Sequence, residues 1–318
     1  MMFFKLNNIS KHYGSESEGN LRKVLDGLSL EIKEGESIAI LGPSGSGKTT
    51  LLNIMGTLDR PDSGEVYFRN DTVYSGKNNI DTHALNPSNQ PQPGIISTDQ
   101  IAASKRDPDQ NHAVSKSIFP ADVKSELRSV TKHDADSAHS SQKVAQPDAE
   151  SLFAPEDNLV NFSTQELDTF RNEKIGFVFQ MHHLLPQCTL FENILIPTLT
   201  IRDKRIRAER LERARELMIR VGIWEQRDQM PGHVSGGESQ RAAVVRALIN
   251  KPALLLADEP TGALDEDNVS KLALLLLEIN KTDGVTLVVV THSVALATRM
   301  DTVYELKNGK LRIKDLKA

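Results

Sequence analysis

Over two parts of the chain, 1–75 and 161–318, short continuous apolar runs alternate with stretches of helical periodicity. The runs at 37–41, 175–179, 254–257 and 286–290 show no apolar–polar alternation. Unbroken runs of this length suit strands buried on both faces of a parallel sheet. Leu51, Leu52, Ile54 and Met55 follow the first run at helical spacing. Ser163 and Glu166 have the spacing of a capping box, which predicts a helix carrying Leu167 and Phe170. Strands alternating with helices imply an α/β fold, and open parallel sheets place ligand sites beyond the carboxyl ends of their strands.

Between about 76 and 160 the pattern is lost. This stretch is rich in Asn, Gln, Ser, Asp, Pro and Ala, and Phe119 and Phe153 are its aromatic residues. It cannot bury enough apolar surface to offset its ordering entropy, so disorder is expected, with a short helix around 121–130 as its most helix-like part. Such an insertion can loop out of a fold, because loop-closure cost grows slowly with length.

The remaining totals narrow the class. The 318 residues suffice for two domains, or for one large domain with an insertion. Hydrophobic residues at 38% and charged residues at 25% are ordinary for a globular chain. A net charge of -5 gives no nucleic-acid footprint, so no nucleic-acid partner is expected. Cys188 is the sole cysteine, which rules out a disulfide within the chain and fits a reducing compartment. No run approaches the roughly 18–20 apolar residues of a membrane span. The first residues lack the apolar core of a signal peptide. The expectation is a cytoplasmic protein that serves a membrane, if at all, through partners.

Three motifs carry chemistry. Gly42, Pro43, Ser44, Gly45, Ser46, Gly47, Lys48 and Thr49 satisfy G-x-x-x-x-G-K-[ST] between a strand and an apolar helix, with Thr50 next. Glycines let the backbone wrap phosphates, and the helix N-terminus faces the anion. Lys48 would reach the β- and γ-phosphates and Thr49 would coordinate Mg²⁺. The run 254–257 ends in Asp258 and Glu259. Metal binding and base work need separate carboxylates, so Asp258 is read as the metal-side residue and Glu259 as the base. Ser235, Gly236, Gly237 and Glu238 precede a helix expected over 239–250 and form a second anion-binding start. One nucleotide does not need two such sites in one chain, which points to a dimer in which each chain caps the other's nucleotide.

The set resembles the nucleotide-binding subunit of ABC transporters over 1–75 and 161–318. The resemblance implies a P-loop NTPase core of ABC type, with a mainly parallel sheet, an antiparallel β subdomain and an α-helical subdomain. The chain would then be a single ATP-binding domain, 1–318, interrupted by the 76–160 insertion, with a helical signature subdomain over 181–250. Residues 42–49 resemble Walker A and 254–259 Walker B. Residues 234–238 resemble the signature LSGGQ, with Val234 for Leu and Glu238 for Gln. By the same resemblance Gln180 is the Q-loop glutamine, which senses Mg²⁺ and the membrane partner, and Asp265 belongs to the D-loop. His292 is the switch histidine, and Tyr13 is the ring that stacks on adenine. The other histidines, such as His12 and His233, are read as surface or satisfied residues, and His182 and His183 as part of a partner-facing surface.

A finer resemblance, carried by residues 175–180, Leu184, Pro186, Glu192, Asn193, Pro197 and 257–262, is to the lipoprotein-releasing and macrolide-exporter branch. It implies a homodimer that binds ATP and Mg²⁺ at its interface and drives integral membrane subunits, for export or for extraction of a lipoprotein, peptide or drug. Two other readings stand beside it. One is a cell-division-type ATPase that signals to wall hydrolases without transport. The other is a soluble cassette acting on DNA or ribosomes. Relatives of that last kind carry coiled coils or two cassettes, and this chain has neither.

Overall fold

The computed structural model describes residues 1–14, 21–69, 157–262 and 266–316. Strands form where β-branched and large apolar residues cluster between glycine and acidic stops. They are β1 (Met2–Tyr13), β2 (Arg22–Lys33), β3 (Ser37–Leu41), β4 (Ser63–Phe68), β5 (Ile175–Val178), β6 (Leu254–Asp258), β7 (Thr286–Thr291), β8 (Thr302–Lys307) and β9 (Lys310–Ile313). The helices are α1 (Lys48–Met55), α2 (Thr164–Lys174), α3 (Leu190–Leu195), α4 (Lys204–Arg220), α5 (Gly236–Leu248), α6 (Glu266–Asp283) and α7 (Val294–Ala297).

Six strands form one sheet in the order β5-β6-β7-β3-β8-β9, parallel except for the β8–β9 pair. Every residue of β3 and β7 is buried, as an unbroken apolar run between two covering layers requires. Alternate side chains feed two cores. Ala39, Leu41, Leu255, Ala257, Leu287 and Val289 pack with α3 to α7 on one face. Ile38, Ile40, Leu254, Leu256, Val288 and Val290 pack on the other with α1 and the second sheet. That second sheet is antiparallel, in the order β2-β1-β4.

Register decides where the chemistry falls. Leu41 pairs with Thr291, and Asp258 pairs with Val290. The carboxyl ends of β3, β6 and β7 therefore end at one edge, and residues 42–49, 258–259 and 292 emerge there together. Strand β5 stops at Val178, one residue before the expected end.

One expected boundary is corrected. The helix expected over 239–250 begins at Gly236. Ser235 and Glu238 form a reciprocal capping box that winds both glycines into its first turn. The low-complexity stretch 76–160, with its expected helix at 121–130, lies outside the described residues except for its last four. Of those four, Asn158 and Leu159 are buried. The Asn158 side chain accepts from the Val66 and Val160 backbone N–H groups at 3.3 and 3.2 Å, and Leu159 is buried against β4. The buried Val66 amide and the half-buried Val160 amide thereby gain a partner, which polar composition alone does not reveal. The capping box predicted at Ser163 and Glu166 opens α2.

Candidate active site

The loop 42–47 joins β3 to α1 and encloses a cleft of about 650 Å³. Ser44, Gly45, Gly47, Lys48, Thr49 and Thr50 line it from the loop and helix start. Gln180, Asp258, Glu259 and His292 line it from the ends of β5, β6 and β7, and Tyr13 lines it from the end of β1. Gly47 is the N-cap of α1 at φ 100 and ψ 11, a conformation open chiefly to glycine. A Cβ there would also stand 2.8 Å from Val24 Cγ1. Gly42, Pro43 and Ser46 shape the loop without lining the cleft. A Cβ on Gly42 would stand 2.7 Å from the Leu306 carbonyl oxygen, and the Pro43 carbonyl accepts from the Ser46 N–H.

Lys48 is buried, and its ammonium donates to the Gly42 and Pro43 carbonyls at 2.9 and 3.2 Å. Two of its three donors are thus used, and the charge remains in the cleft. Glu259 Oε1 lies 3.8 Å from Lys48 Nζ. Its Oε2 accepts from the His292 backbone N–H at 3.1 Å and lies 2.9 Å from His292 Nδ1. Glu259 takes φ 45, and its own N–H donates to the Val290 carbonyl at 2.8 Å. A non-glycine residue held in this region costs of order 1–3 kcal/mol, a strain that concentrates at functional positions. Burial raises the Asp258 pKa above the ordinary carboxylate value; the Thr49 hydroxyl and Lys48 oppose the rise, and the Glu259 charge adds to it. A half-buried carboxyl of raised pKa beside a cation is a group that a divalent ion would draw into its charged form.

Ser235, Gly236, Gly237 and Glu238 do not line this cleft. They open α5, where Glu238 Oε2 accepts from the Ser235 N–H and hydroxyl, each at 2.7 Å. These bonds hold the Glu238 carboxyl below its ordinary pKa. Helix α5 also grips the segment around Gln180. Buried Gln240 donates to the Phe179 carbonyl at 3.0 Å and meets His182 Nδ1 at 3.2 Å. Arg246 donates to the His182 and His183 carbonyls at 2.6 and 2.7 Å. Asp265 lies outside the described residues.

Arg22 and Val24 also line the cleft, and the Arg22 guanidinium donates to the Gly45 carbonyl at 2.9 Å. Neither belongs to the motifs at 42–49, 234–238 or 254–259. Their place follows from how β2 lies against the phosphate loop, which no local spacing encodes.

A glycine loop feeding a helix N-terminus, beside an acidic strand end on the same sheet edge, is the arrangement of P-loop nucleotide hydrolases. Comparison with known proteins narrows it. Residues 25–148 and 143–262 match the ABC transporter family, and the chain belongs to that family. The lipoprotein-releasing system ATP-binding protein LolD of Syntrophus aciditrophicus is 35% identical over 294 residues, covering 92% of each chain. LolD of Myxococcus xanthus is 33% identical over 311 residues, covering 98% of this chain and 99% of that one. The macrolide export ATP-binding/permease protein MacB of Rhodopirellula baltica is 33% identical over 90% of this chain but 29% of its own length. The dimeric structure of MJ0796, a bacterial ABC transporter cassette, matches with a TM-score of 0.64 at 29% identity, covering 99% of both chains. A post-hydrolysis dimer of MJ0796 bound to ADP and Pi matches at 0.63 and 28%. The chain is an ABC transporter ATPase of the LolD and MacB branch.

Proposed function

We propose that the chain works as a head-to-tail homodimer that binds two ATP molecules at its interface and drives integral membrane subunits, exporting or extracting a lipoprotein, peptide or drug. One observation carries this reading. Two glycine-bearing helix starts, those of α1 and α5, are suited to an anion, and of these that of α1 opens into the cleft. The start of α5 is separate, with Ser235 and Gly236 exposed. An exposed second site suits the γ-phosphate held in another copy's cleft. The MJ0796 cassette, which the fold matches, is itself dimeric, and this supports dimerisation.

Within each cleft Lys48 and the loop amides would hold the phosphates, and Tyr13 would stack on the base. Glu259, fixed by His292, would take the proton of the attacking water. Mg²⁺ fits the donors present. Among the described residues no group of three or more His, Cys, Asp or Glu could hold a metal. Mg²⁺ is held by one or two carboxylates together with substrate phosphates and water. Thr49, Asp258 and Gln180 would hold it, and when bound it offsets phosphate charge. Among the described residues no helix is long and apolar enough to cross a membrane. The chain would therefore reach the inner face of the membrane through its partners. Residues 184–197, within the helical subdomain at 181–250 that includes α3, α4 and α5, would contact them. Loss of the γ-phosphate loosens the clamp, and the grip of α5 on residues 179–183 passes that change to the membrane side.

The test is a pull-down of tagged Glu259→Gln from detergent-solubilised native membranes with Mg-ATP, read by mass spectrometry. A co-purifying integral membrane protein at comparable stoichiometry is expected. Ribosomal or DNA-bound proteins without a membrane protein would overturn the reading.

A further inference from the structure

Tyr13 stands at the end of β1 with 46% of its surface exposed, a position from which an aromatic ring is free to change rotamer. It is held nonetheless. Its hydroxyl donates to Asp59 Oδ2 at 2.9 Å. The other oxygen, Oδ1, accepts from Lys11 Nζ at 2.8 Å and from the Arg60 N–H at 2.8 Å. Lys11, which also donates to the Arg60 carbonyl at 2.6 Å, sits over the Tyr13 ring at 5.6 Å from its centroid. One carboxylate thus fixes the ring at its hydroxyl and places a cation against one face.

The position of Asp59 gives this tether its meaning. Residue 59 lies in the turn that follows α1, and the Leu58 and Asp59 N–H groups both donate to the Asn53 carbonyl, at 2.8 and 3.2 Å. Asn53 belongs to the same helix that presents Lys48, Thr49 and Thr50 to the cleft. The ring is therefore referenced to the phosphate loop through one short rigid helix, although the two come from different sheets.

We propose that Asp59 is a positioning residue for nucleotide binding: it holds the Tyr13 ring at a set distance from the phosphate loop, so that base and phosphates are engaged together. This rests on the reading of Tyr13 as the base-stacking ring. A ring ordered in advance spares the ligand the cost of ordering it, which corresponds to roughly 2–10-fold in affinity for one side chain.

The experiment measures Mg-ADP and inorganic pyrophosphate binding by calorimetry for the wild type, Asp59→Ala, Tyr13→Phe, their double variant and Tyr13→Ala. Tyr13→Phe leaves the Asp59–Lys11 pair in place and so guards against a folding defect. Asp59→Ala and Tyr13→Phe should each raise the Kd for ADP by roughly 2–10-fold, and the double variant should be no worse than the weaker single. Pyrophosphate affinity should stay at the wild-type value throughout. Multiplying losses in the double variant, or a parallel loss for pyrophosphate, would overturn the tether and leave Asp59 a merely structural role. If Tyr13→Ala weakens ADP binding while Asp59→Ala and Tyr13→Phe do not, the tether alone fails. If Tyr13→Ala binds ADP like the wild type, the stacking reading fails and the tether with it.

Discussion

Replacing Gly47 with Ala tests how closely the phosphate loop is built. The residue adopts φ 100, and an added Cβ would stand 2.8 Å from Val24 Cγ1, 3.2 Å from the Val24 carbonyl and 3.3 Å from Leu25 Cδ2. Forcing a left-handed conformation on alanine costs about 1–2 kcal/mol. Overpacking a filled site costs about 1–3 kcal/mol more. The two together give about 2–5 kcal/mol if β2 does not move. Leu25 is fully buried, so β2 has little room to yield. Gly222→Ala is the matched control, since Gly222 has φ 70 and nothing lies within 4 Å of its added Cβ. It should lose about 1–2 kcal/mol, the conformational part alone. Urea unfolding of both variants gives the difference, and calorimetry with Mg-ADP shows how much of the strain reaches the site. Gly47→Ala should lose both stability and nucleotide affinity, and Gly222→Ala stability alone. Equal stability losses, with wild-type affinity in Gly47→Ala, would refute the close-approach argument.

Four further outcomes are expected. Glu259→Gln keeps the shape of the side chain and an acceptor for the His292 N–H, so ATP binding should persist while turnover falls by roughly 10²–10⁴-fold, read in a phosphate-release assay. Burial tends to raise the Asp283 pKa, but the Arg220 and Thr282 hydrogen bonds and the charges of Arg220 and Arg213 bring it below the ordinary value. A depressed folded pKa gives stability that is present at neutral pH and lost as pH falls through that value. Asp283→Asn should therefore be about 1–2 kcal/mol less stable than the wild type at pH 7, and urea unfolding should show the gap closing below the usual carboxylate range. Leu159→Ala should cost about 2–4 kcal/mol in the same assay, because the side chain is 4% exposed in the core against β4. Deleting residues 80–156, which spares Asn158 and Leu159, should leave basal ATP hydrolysis largely intact.

The parts legible in the sequence are those set by local spacing. Residues 42–49 declare a phosphate loop because its chemistry needs glycine, lysine and threonine at fixed intervals. Asp258, Glu259 and His292 follow apolar runs, and a parallel sheet in register brings such ends to one edge. The box at Ser163 and Glu166 forms because its partners are three residues apart. The box at Ser235 and Glu238 has the same spacing, yet the intervening glycines disguise it as loop, which set the expected start of α5 too late. What stayed hidden depends on distant partners. Arg22 meets Gly45 across 23 residues, and Tyr13 meets Asp59 across 46. Asn158 reaches Val66 across 92. Such pairs exist only once distant segments are assembled, so no periodicity announces them.

If the proposal holds, ATP joins two copies of this chain, with the start of α5 in one closing the cleft of the other. Light scattering on purified Glu259→Gln tests it most directly, with Mg-ATP, with Mg-ADP and without nucleotide. The mass should double with Mg-ATP alone, and the doubling should be lost when Ser235→Arg is added. A variant that stays monomeric in saturating Mg-ATP, or a dimer indifferent to Ser235→Arg, would contradict it.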